Sequence, residues 1–251
     1  MKRLVLPLLA LLMVSGCSHR YYAEDLKSLS EADQGANTTV ADDGTVTFTQ
    51  GRLEISLRPM TDEELNRQFA DYSSEGANSR NPYTFGNSTY FRSGETPQRF
   101  TVFRVSVSNY EYPKVYLDPT KVFITTSNGR KYYSLTLDML EIYYRRYILG
   151  GSGGNAPGVD GIAYNVWNER DAILRRTLFA NEQLFSAQER VGYLVFKPLA
   201  KDVDKLSVHV SDVVTRFDYQ GDPAESIDIE MHFEREIGRI YPDGSRVASG
   251  S

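Results

Sequence analysis

Cysteine is almost absent from this chain, because Cys17 is the single cysteine among 251 residues. One thiol excludes a disulfide within the chain. Since small exported domains often rely on disulfides, the stability of this protein must come from a packed apolar core. The length suffices for one large domain or two small ones, and we expect one domain with insertions.

Histidine is also scarce, with three residues in the whole sequence. A Ser/His/Asp arrangement needs an imidazole that takes the proton of the nucleophile, and the domain proper offers His209 and His232. Both fall on the polar side of a predicted strand, and the sequence has no Gly-x-Ser-x-Gly elbow. We therefore predict a protein that is not an enzyme, with a hydrolase built from two carboxylates as an alternative.

Basic charge is not in excess, since 28 Lys and Arg residues stand against 33 Asp and Glu residues. Nucleic-acid binding requires clustered basic residues that release counterions from phosphates, and Arg145-Arg146 and Arg175-Arg176 are separate pairs. The Gly-rich residues 150–154 lack the Gly-Lys-Ser/Thr ending of a phosphate loop and are interpreted as a hinge. We expect neither a nucleic-acid partner nor a cofactor.

No apolar run is long enough to cross a bilayer, which takes about 20 residues. The N-terminal run covers residues 4–14, follows Lys2 and Arg3, and ends in small residues before Cys17. This order of a charged region, an apolar region and small residues predicts an export signal over residues 1–16.

The Val14-Ser15-Gly16-Cys17 run resembles the lipobox of bacterial lipoproteins. The resemblance implies that the signal is cut before Cys17 and that acyl chains are attached to this residue. Two or three chains would hold the protein at the membrane, because each buried methylene contributes about 0.8 kcal/mol. Ser18 stands where lipoproteins retained at the inner membrane often carry Asp. The resemblance therefore implies an outer-membrane lipoprotein. We expect it to face the periplasm, and the sequence leaves a cell-surface orientation open.

Residues 17–44 are predicted to form the lipid anchor and a flexible tether. The stretch from Ser28 to Gly44 is rich in polar residues and has few large apolar ones, so it buries too little surface to offset the entropy of ordering. A flexible coil of about 28 residues would hold the domain on the order of 30 Å from the membrane.

From Thr45 onward, apolar and polar residues alternate, which is typical of strands with one buried face. The clearest apolar sets are Leu53, Ile55 and Leu57; Phe103, Val105 and Val107; Leu206, Val208 and Val210; and Ile227, Ile229, Met231 and Phe233. Asn128-Gly129 supplies the positive φ angles of a tight hairpin. About seven to nine such strands predict a mainly β fold, an antiparallel sandwich, over residues 45–240. A polar C-terminal tail is expected over residues 241–251.

Two helical insertions are predicted, near residues 61–72 and 137–188. The first opens with Thr61-Asp62-Glu63-Glu64, in which the Thr61 hydroxyl and the Glu64 carboxylate can each bond the backbone amide of the other residue. The second is expected to contain one helix before the Gly-rich hinge and another from Tyr164 to Leu178.

Four segments of the predicted sandwich resemble immunoglobulin-like modules of bacterial envelope lipoproteins. They are Phe103 to Asn109, Tyr116 to Pro119, Ser127 to Tyr133 and Glu189 to Phe196. The resemblance implies an immunoglobulin-like β-sandwich that serves as a binding or scaffold domain, and the helical insertions depart from its minimal form.

Tyrosine is abundant, with 17 residues, and three of them flank an arginine pair. Tyr143, Tyr144, Arg145, Arg146 and Tyr147 form a candidate recognition patch, because tyrosine offers apolar area and a hydroxyl at low entropic cost. The same helical spacing also fits packing of these rings against the sandwich, and the sequence leaves both interpretations open.

A metal site is not predicted. Glu230, His232 and Glu234 project from one face of a predicted strand, but same-face neighbours lie about 7 Å apart and do not converge on one ion without bending. This set is expected to be an ordinary solvated face.

The expected function follows from these points. We predict a lipoprotein held at the membrane through Cys17 that acts without catalysis, as a binding, scaffold or accessory module with an envelope protein as partner. A sugar- or peptide-binding lipoprotein is the first alternative and requires a concave pocket lined by tyrosines. The carboxylate hydrolase is the second and requires two carboxylates roughly 5–10 Å apart in a cleft.

Overall fold

The computed structural model describes residues 19–74, 79–89, 96–149 and 161–249. The strands are β1 (Arg20–Ala23), β2 (Lys27–Ser28), β3 (Thr38–Val40), β4 (Val46–Gln50), β5 (Leu53–Met60), β6 (Thr101–Asn109), β7 (Lys114–Tyr116), β8 (Val122–Thr126), β9 (Lys131–Tyr133), β10 (Gln183–Phe185), β11 (Gln188–Phe196), β12 (Lys205–Phe217), β13 (Pro223–Glu234), β14 (Ile237–Ile240) and β15 (Arg246–Ala248). The helices are α1 (Asp62–Gln68), α2 (Ala70–Ser73), α3 (Leu137–Leu149) and α4 (Gly161–Thr177).

These strands form three antiparallel sheets. The five-stranded sheet has the order β11-β6-β5-β4-β3, and the seven-stranded sheet has the order β10-β7-β12-β13-β2, with the β8-β9 hairpin also paired to β12. The third, called the N-terminal sheet below, has the order β1-β14-β15. The prediction of a mainly β, antiparallel sandwich with helical insertions is confirmed.

The main core lies between the five-stranded and seven-stranded sheets. It is built from the predicted alternation, because the alternating apolar sets predicted in β5, β6, β12 and β13 pack into it. The Phe103 ring packs edge-on against Phe233, with ring centres 5.1 Å apart, and against Phe196 at 6.0 Å. Side chains from both sheets therefore interdigitate, as expected for a sandwich.

The helices make a third layer on the other face of the five-stranded sheet. Val102 and Val195 are buried there, although their neighbours Phe103 and Phe196 face the main core. β6 and β11 are thus buried on both faces at these positions, which explains why β11 ends in the continuous apolar run Tyr193-Leu194-Val195-Phe196. The second core comprises Leu65, Tyr83, Phe100, Val102, Leu140, Tyr144, Ile173, Leu174, Tyr193 and Val195.

The first helical insertion begins with the predicted capping box. The Thr61 hydroxyl accepts a hydrogen bond from the Glu64 backbone amide at 3.1 Å, and the Glu64 carboxylate accepts one from the Thr61 amide at 3.1 Å. Glu64 also pairs with Arg58 of β5 at 2.8 Å. Local sequence therefore starts α1, and an ion pair ties it to the sheet.

The second insertion contains α3 and α4, followed by β10 and the start of β11. The predicted hinge at residues 150–154 lies outside the described residues. The predicted hairpin between β8 and β9 is confirmed. Gly129 has the expected positive φ, of 80°, whereas Asn128 does not have a positive φ.

The prediction of a flexible tether up to residue 44 is wrong for the described part of that segment. β1 pairs with β14, β2 with β13 and β3 with β4. The predicted polar tail is also structured in part, because β15 completes the N-terminal sheet. These short polar strands bury little apolar surface of their own, and backbone pairing to existing sheets orders them instead.

No helix of the described residues is both long enough and apolar enough to cross a membrane.

Candidate functional site

Tyr144, the centre of the predicted recognition patch, is a core residue. Its side chain is 1% exposed, and its hydroxyl donates to the Pro82 carbonyl while it accepts from Arg99 Nη1 at 3.1 Å. The buried guanidinium of Arg170 lies 4.9 Å from its ring centre. Tyr144 therefore cannot contact a partner. The prediction that it belongs to a recognition patch is wrong.

The other described residues of the predicted patch differ in their exposure. Tyr143 is half-buried and packs edge-on against Phe100 with ring centres 5.0 Å apart, whereas Arg145 is exposed. The side chains of Arg146 and Tyr147 lie outside the described residues, as does Cys17. The sequence left open whether these tyrosines pack on the sandwich or bind a partner, and Tyr143 and Tyr144 pack on the sandwich.

A concave region in another part of the described chain was not predicted. Three adjoining hollows of about 210, 430 and 700 Å³ share Glu24 and Arg235 in their walls. We call this region the junction cleft, because it lies where the β1-β2 segment meets the start of α1, the non-regular segment before β6 and the β13-β14 connection. Charged side chains of both signs line it, among them Glu24, Asp25, Asp62, Lys201 and Arg235, together with Tyr22.

Arg235 forms the buried wall of the cleft. Its Nε donates to the Val203 carbonyl at 2.8 Å, and its Nη2 donates to the Ala200 carbonyl at 2.6 Å. Burial lowers the pKa of this guanidinium below its ordinary value, although it stays charged because arginine is not deprotonated in proteins. The cleft therefore has a fixed positive group behind its carboxylates.

Asp25 and Asp62 line the smallest hollow of the cleft. Burial, reinforced by the charge of Asp25, raises the pKa of Asp62 to about 7, although Arg99 opposes the shift. The pKa of Asp25 is raised as well, first by burial and then by Glu24. A carboxyl that titrates near neutral pH can donate or accept a proton or a hydrogen bond, which is the property of a general acid or of a polar ligand site.

No local signal in the sequence pointed to this cleft. Asp25, Asp62 and Arg235 come from three distant parts of the chain, and each stands in an ordinary polar context. Asp62 also belongs to a capping sequence that has a sufficient structural explanation of its own. Only the folding of the N-terminal segment onto the sandwich brings the three together.

The two histidines of the domain flank one carboxylate on the outer face of the seven-stranded sheet. Glu230 Oε1 lies 3.8 Å from His209 Nε2 and 3.9 Å from His232 Nδ1. The same imidazole nitrogens bond the hydroxyls of Thr125 at 2.7 Å and Ser207 at 2.8 Å. Within the described ranges, no group of three or more His, Cys, Asp or Glu side chains is arranged to hold a metal ion.

Comparison with known proteins gives little. No family model matches the chain, and no curated protein matches it. Among solved structures, the chain is similar to the 1.5 Å crystal structure of MPT63, a secreted protein from Mycobacterium tuberculosis, with a TM-score of 0.27 and 11% sequence identity. The similarity covers 69% of this chain and 90% of that one, and at this TM-score it carries no argument about function.

Proposed function

We propose that the chain is an outer-membrane lipoprotein, anchored through acyl chains on Cys17, that acts without catalysis as a binding or scaffold module of the cell envelope. The observation that carries the proposal is the short distance along the chain between this cysteine and the fold. Cys17 ends the export-signal pattern, and β1 begins at Arg20. The expected mature N-terminus thus coincides with the start of the domain.

An exposed aromatic surface supports the binding role. On the outer face of the seven-stranded sheet, Phe123 stacks on His209 with ring centres 4.7 Å apart, and the Lys131 ammonium lies 3.5 Å from the Phe123 ring centre. Tyr133 adjoins them and is 58% exposed. Aromatic residues are enriched where proteins contact partners. We assign the envelope protein partner to this surface, defined by Phe123, Lys131, Tyr133 and His209.

The anchor is tested by Cys17→Ala in the source bacterium. We expect the variant to fold as the wild type does and to leave the membrane fraction for the soluble one. A variant that stays fully with the membranes would show that Cys17 is not the anchor.

The partner is tested by crosslinking in intact cells, followed by purification through a C-terminal tag and mass spectrometry. A Tyr133→Ser variant should lose a reproducible envelope partner. Tyr219→Ser is the matched control, because Tyr219 is 93% exposed and lies at the far end of the β12-β13 hairpin. Loss of the partner in both variants, or in neither, would contradict the assigned surface.

A second candidate function is binding of a small polar ligand in the junction cleft, with the shared cavity of Asp25 and Asp62 as the supporting observation. Tyr22 is the one tyrosine among the described residues that line the cleft. The cleft therefore lacks the set of tyrosines that the predicted sugar- or peptide-binding pocket requires. Thermal-shift screens against sugars and short peptides test this candidate. A hit that Asp62→Asn abolishes would support it, and turnover of a glycoside by the wild type alone would favour the hydrolase.

A further inference from the structure

The N-terminal sheet has two unlike faces. Tyr22 lies on the inner face and is buried against Gly238, where an added Cβ would come within 2.6 Å of the Tyr22 ring. Tyr21, Arg239 and Val247 are aligned across the three strands on the outer face. Tyr21 is 48% exposed and Val247 is 51% exposed. The sheet therefore presents apolar area to its surroundings.

The outer face extends beyond these three residues by two aromatic rings. His19 packs edge-on against Tyr21 with ring centres 5.0 Å apart, and it lies 6.2 Å from the Tyr241 ring centre. The Arg239 guanidinium lies 5.8 Å from the Tyr21 ring centre. Tyrosine and arginine both have an apolar body and a polar end, and both are favoured at the boundary between lipid and water.

The length of chain before β1 decides what can lie against this face. Two residues lie between Cys17 and Arg20, and even a fully extended chain covers only about 10 Å over these three steps. Acyl chains on Cys17 would therefore insert into the bilayer beside the N-terminal sheet. This step rests on the lipid anchor of the proposed function.

We propose that the outer face of the N-terminal sheet, defined by His19, Tyr21, Arg239, Tyr241 and Val247, rests on the surface of the bilayer. The tyrosines contact the headgroup region, and Arg239 bonds lipid phosphates. The domain is thus held against the membrane in a fixed orientation. The tip of the β12-β13 hairpin lies at the opposite end of β13 from the N-terminal sheet, and a strand of 12 residues spans about 40 Å.

The chain offers a direct test of this orientation. Cys17 is its single cysteine and carries lipid in the proposed mature protein, so Val247→Cys creates a unique reactive thiol. The lipidated variant is labelled there with a polarity-sensitive fluorophore and placed in vesicles of phosphatidylethanolamine and phosphatidylglycerol that contain a doxyl-labelled lipid as quencher. Tyr219→Cys carries the same label as the matched control at the hairpin tip.

We expect the label at position 247 to shift to the blue and to lose most of its fluorescence, whereas the label at position 219 does neither. Adding Tyr21→Ser and Tyr241→Ser to the Val247→Cys protein should restore the fluorescence, and adding Tyr133→Ser should not. Circular dichroism of each variant verifies that it is folded.

Flotation of the vesicles separates the ways in which the proposal can fail. If the protein floats and the two labels are quenched equally, the anchor stands and the orientation is wrong. If the label at position 247 shifts to the blue only at high protein density and without quenching, a second copy of the chain covers the face and the bilayer does not. If the protein does not float, the lipid anchor is wrong and the orientation falls with it.

Discussion

The side-chain amide of Gln34 bonds both backbone groups of His232. Its Nε2 donates to the His232 carbonyl at 2.8 Å, and its Oε1 accepts from the His232 amide at 2.9 Å. The amide thereby extends the edge pairing that β2 makes with β13 at Ser28 and Phe233. A glutamine in a polar segment therefore fixes the N-terminal residues to the sandwich.

Gln34→Ala is expected to loosen this attachment. The variant loses the two hydrogen bonds to His232 and a third to the Leu29 carbonyl. It leaves the His232 amide without its partner, so the free energy of unfolding should fall by about 1–3 kcal/mol. Chemical denaturation measures the loss, and hydrogen exchange should show faster exchange at His232. Gln220→Ala, at the exposed hairpin tip, is the control and should change stability by less than about 0.5 kcal/mol. Equal stability of the two variants would contradict the attachment.

Tyr144→Phe should destabilise the second core although the ring remains. Removal of the hydroxyl takes the buried hydrogen bonds from the Pro82 carbonyl and Arg99, and unsatisfied buried groups cost about 1–3 kcal/mol. Tyr133→Phe is the matched control. Because Tyr133 is exposed, the free energy of unfolding of this variant should equal that of the wild type. Thermal or chemical unfolding of both variants measures the difference. A neutral Tyr144→Phe would mean that the hydroxyl has no structural role.

Asp62 should make stability depend on pH. Its pKa rises from 3.8 in the unfolded chain to about 7 in the fold, so the folded protein binds more protons between these values. The contribution of Asp62 to the free energy of unfolding therefore falls as pH rises from about 4 to about 7 and is constant above that range. The full shift corresponds to at most about 4 kcal/mol.

Asp62→Asn removes this titration. We expect the variant to be more stable than the wild type at pH 8, with the difference shrinking toward pH 4, as measured by denaturation across the range. Glu63→Gln changes an exposed carboxylate of the same helical turn and serves as the control. If Asp62→Asn and Glu63→Gln have the same pH profile as the wild type, the pKa of Asp62 is not raised.

Gly238→Ala should disrupt the N-terminal sheet. A Cβ at this position would lie 2.3 Å from the Val247 carbonyl oxygen and 2.6 Å from the Tyr22 ring, and overpacking of this kind costs about 1–3 kcal/mol. Gly35→Ala is the control, because its Cβ would meet nothing closer than 3.8 Å. Hydrogen exchange in β1 and β14 should accelerate only in the first variant. Unchanged exchange there would mean that Tyr22 does not pack on this glycine.

The strands and the capping box were predictable because their signals are local. Alternation at Leu53, Ile55 and Leu57 places a side chain on the same face every second residue, and one buried face imposes that period. The reciprocal bonds between Thr61 and Glu64 need only four consecutive residues. Such elements form wherever the chain has the right neighbours in sequence.

Other features were missed because their cause lies elsewhere in the chain. Nothing in Arg20–Ala23 indicates a strand until β14 offers it a backbone to pair with. Nothing in Tyr144 indicates burial until α4 and the segment around Pro82 cover it. The pKa of Asp62 likewise depends on Asp25, whose proximity is created by the fold.

The sequence by itself determined the lipobox-like N-terminus, the mainly β class and the places where α1 and the β8-β9 turn begin, since each depends on residues within one turn or one strand. Only the tertiary structure decided that the N-terminal segment joins the sheets, that Tyr144 faces inward and that Asp25, Asp62 and Arg235 meet in one cleft. The reason is that backbone pairing, burial and charge proximity are properties of residues far apart in sequence, and a local pattern does not contain them.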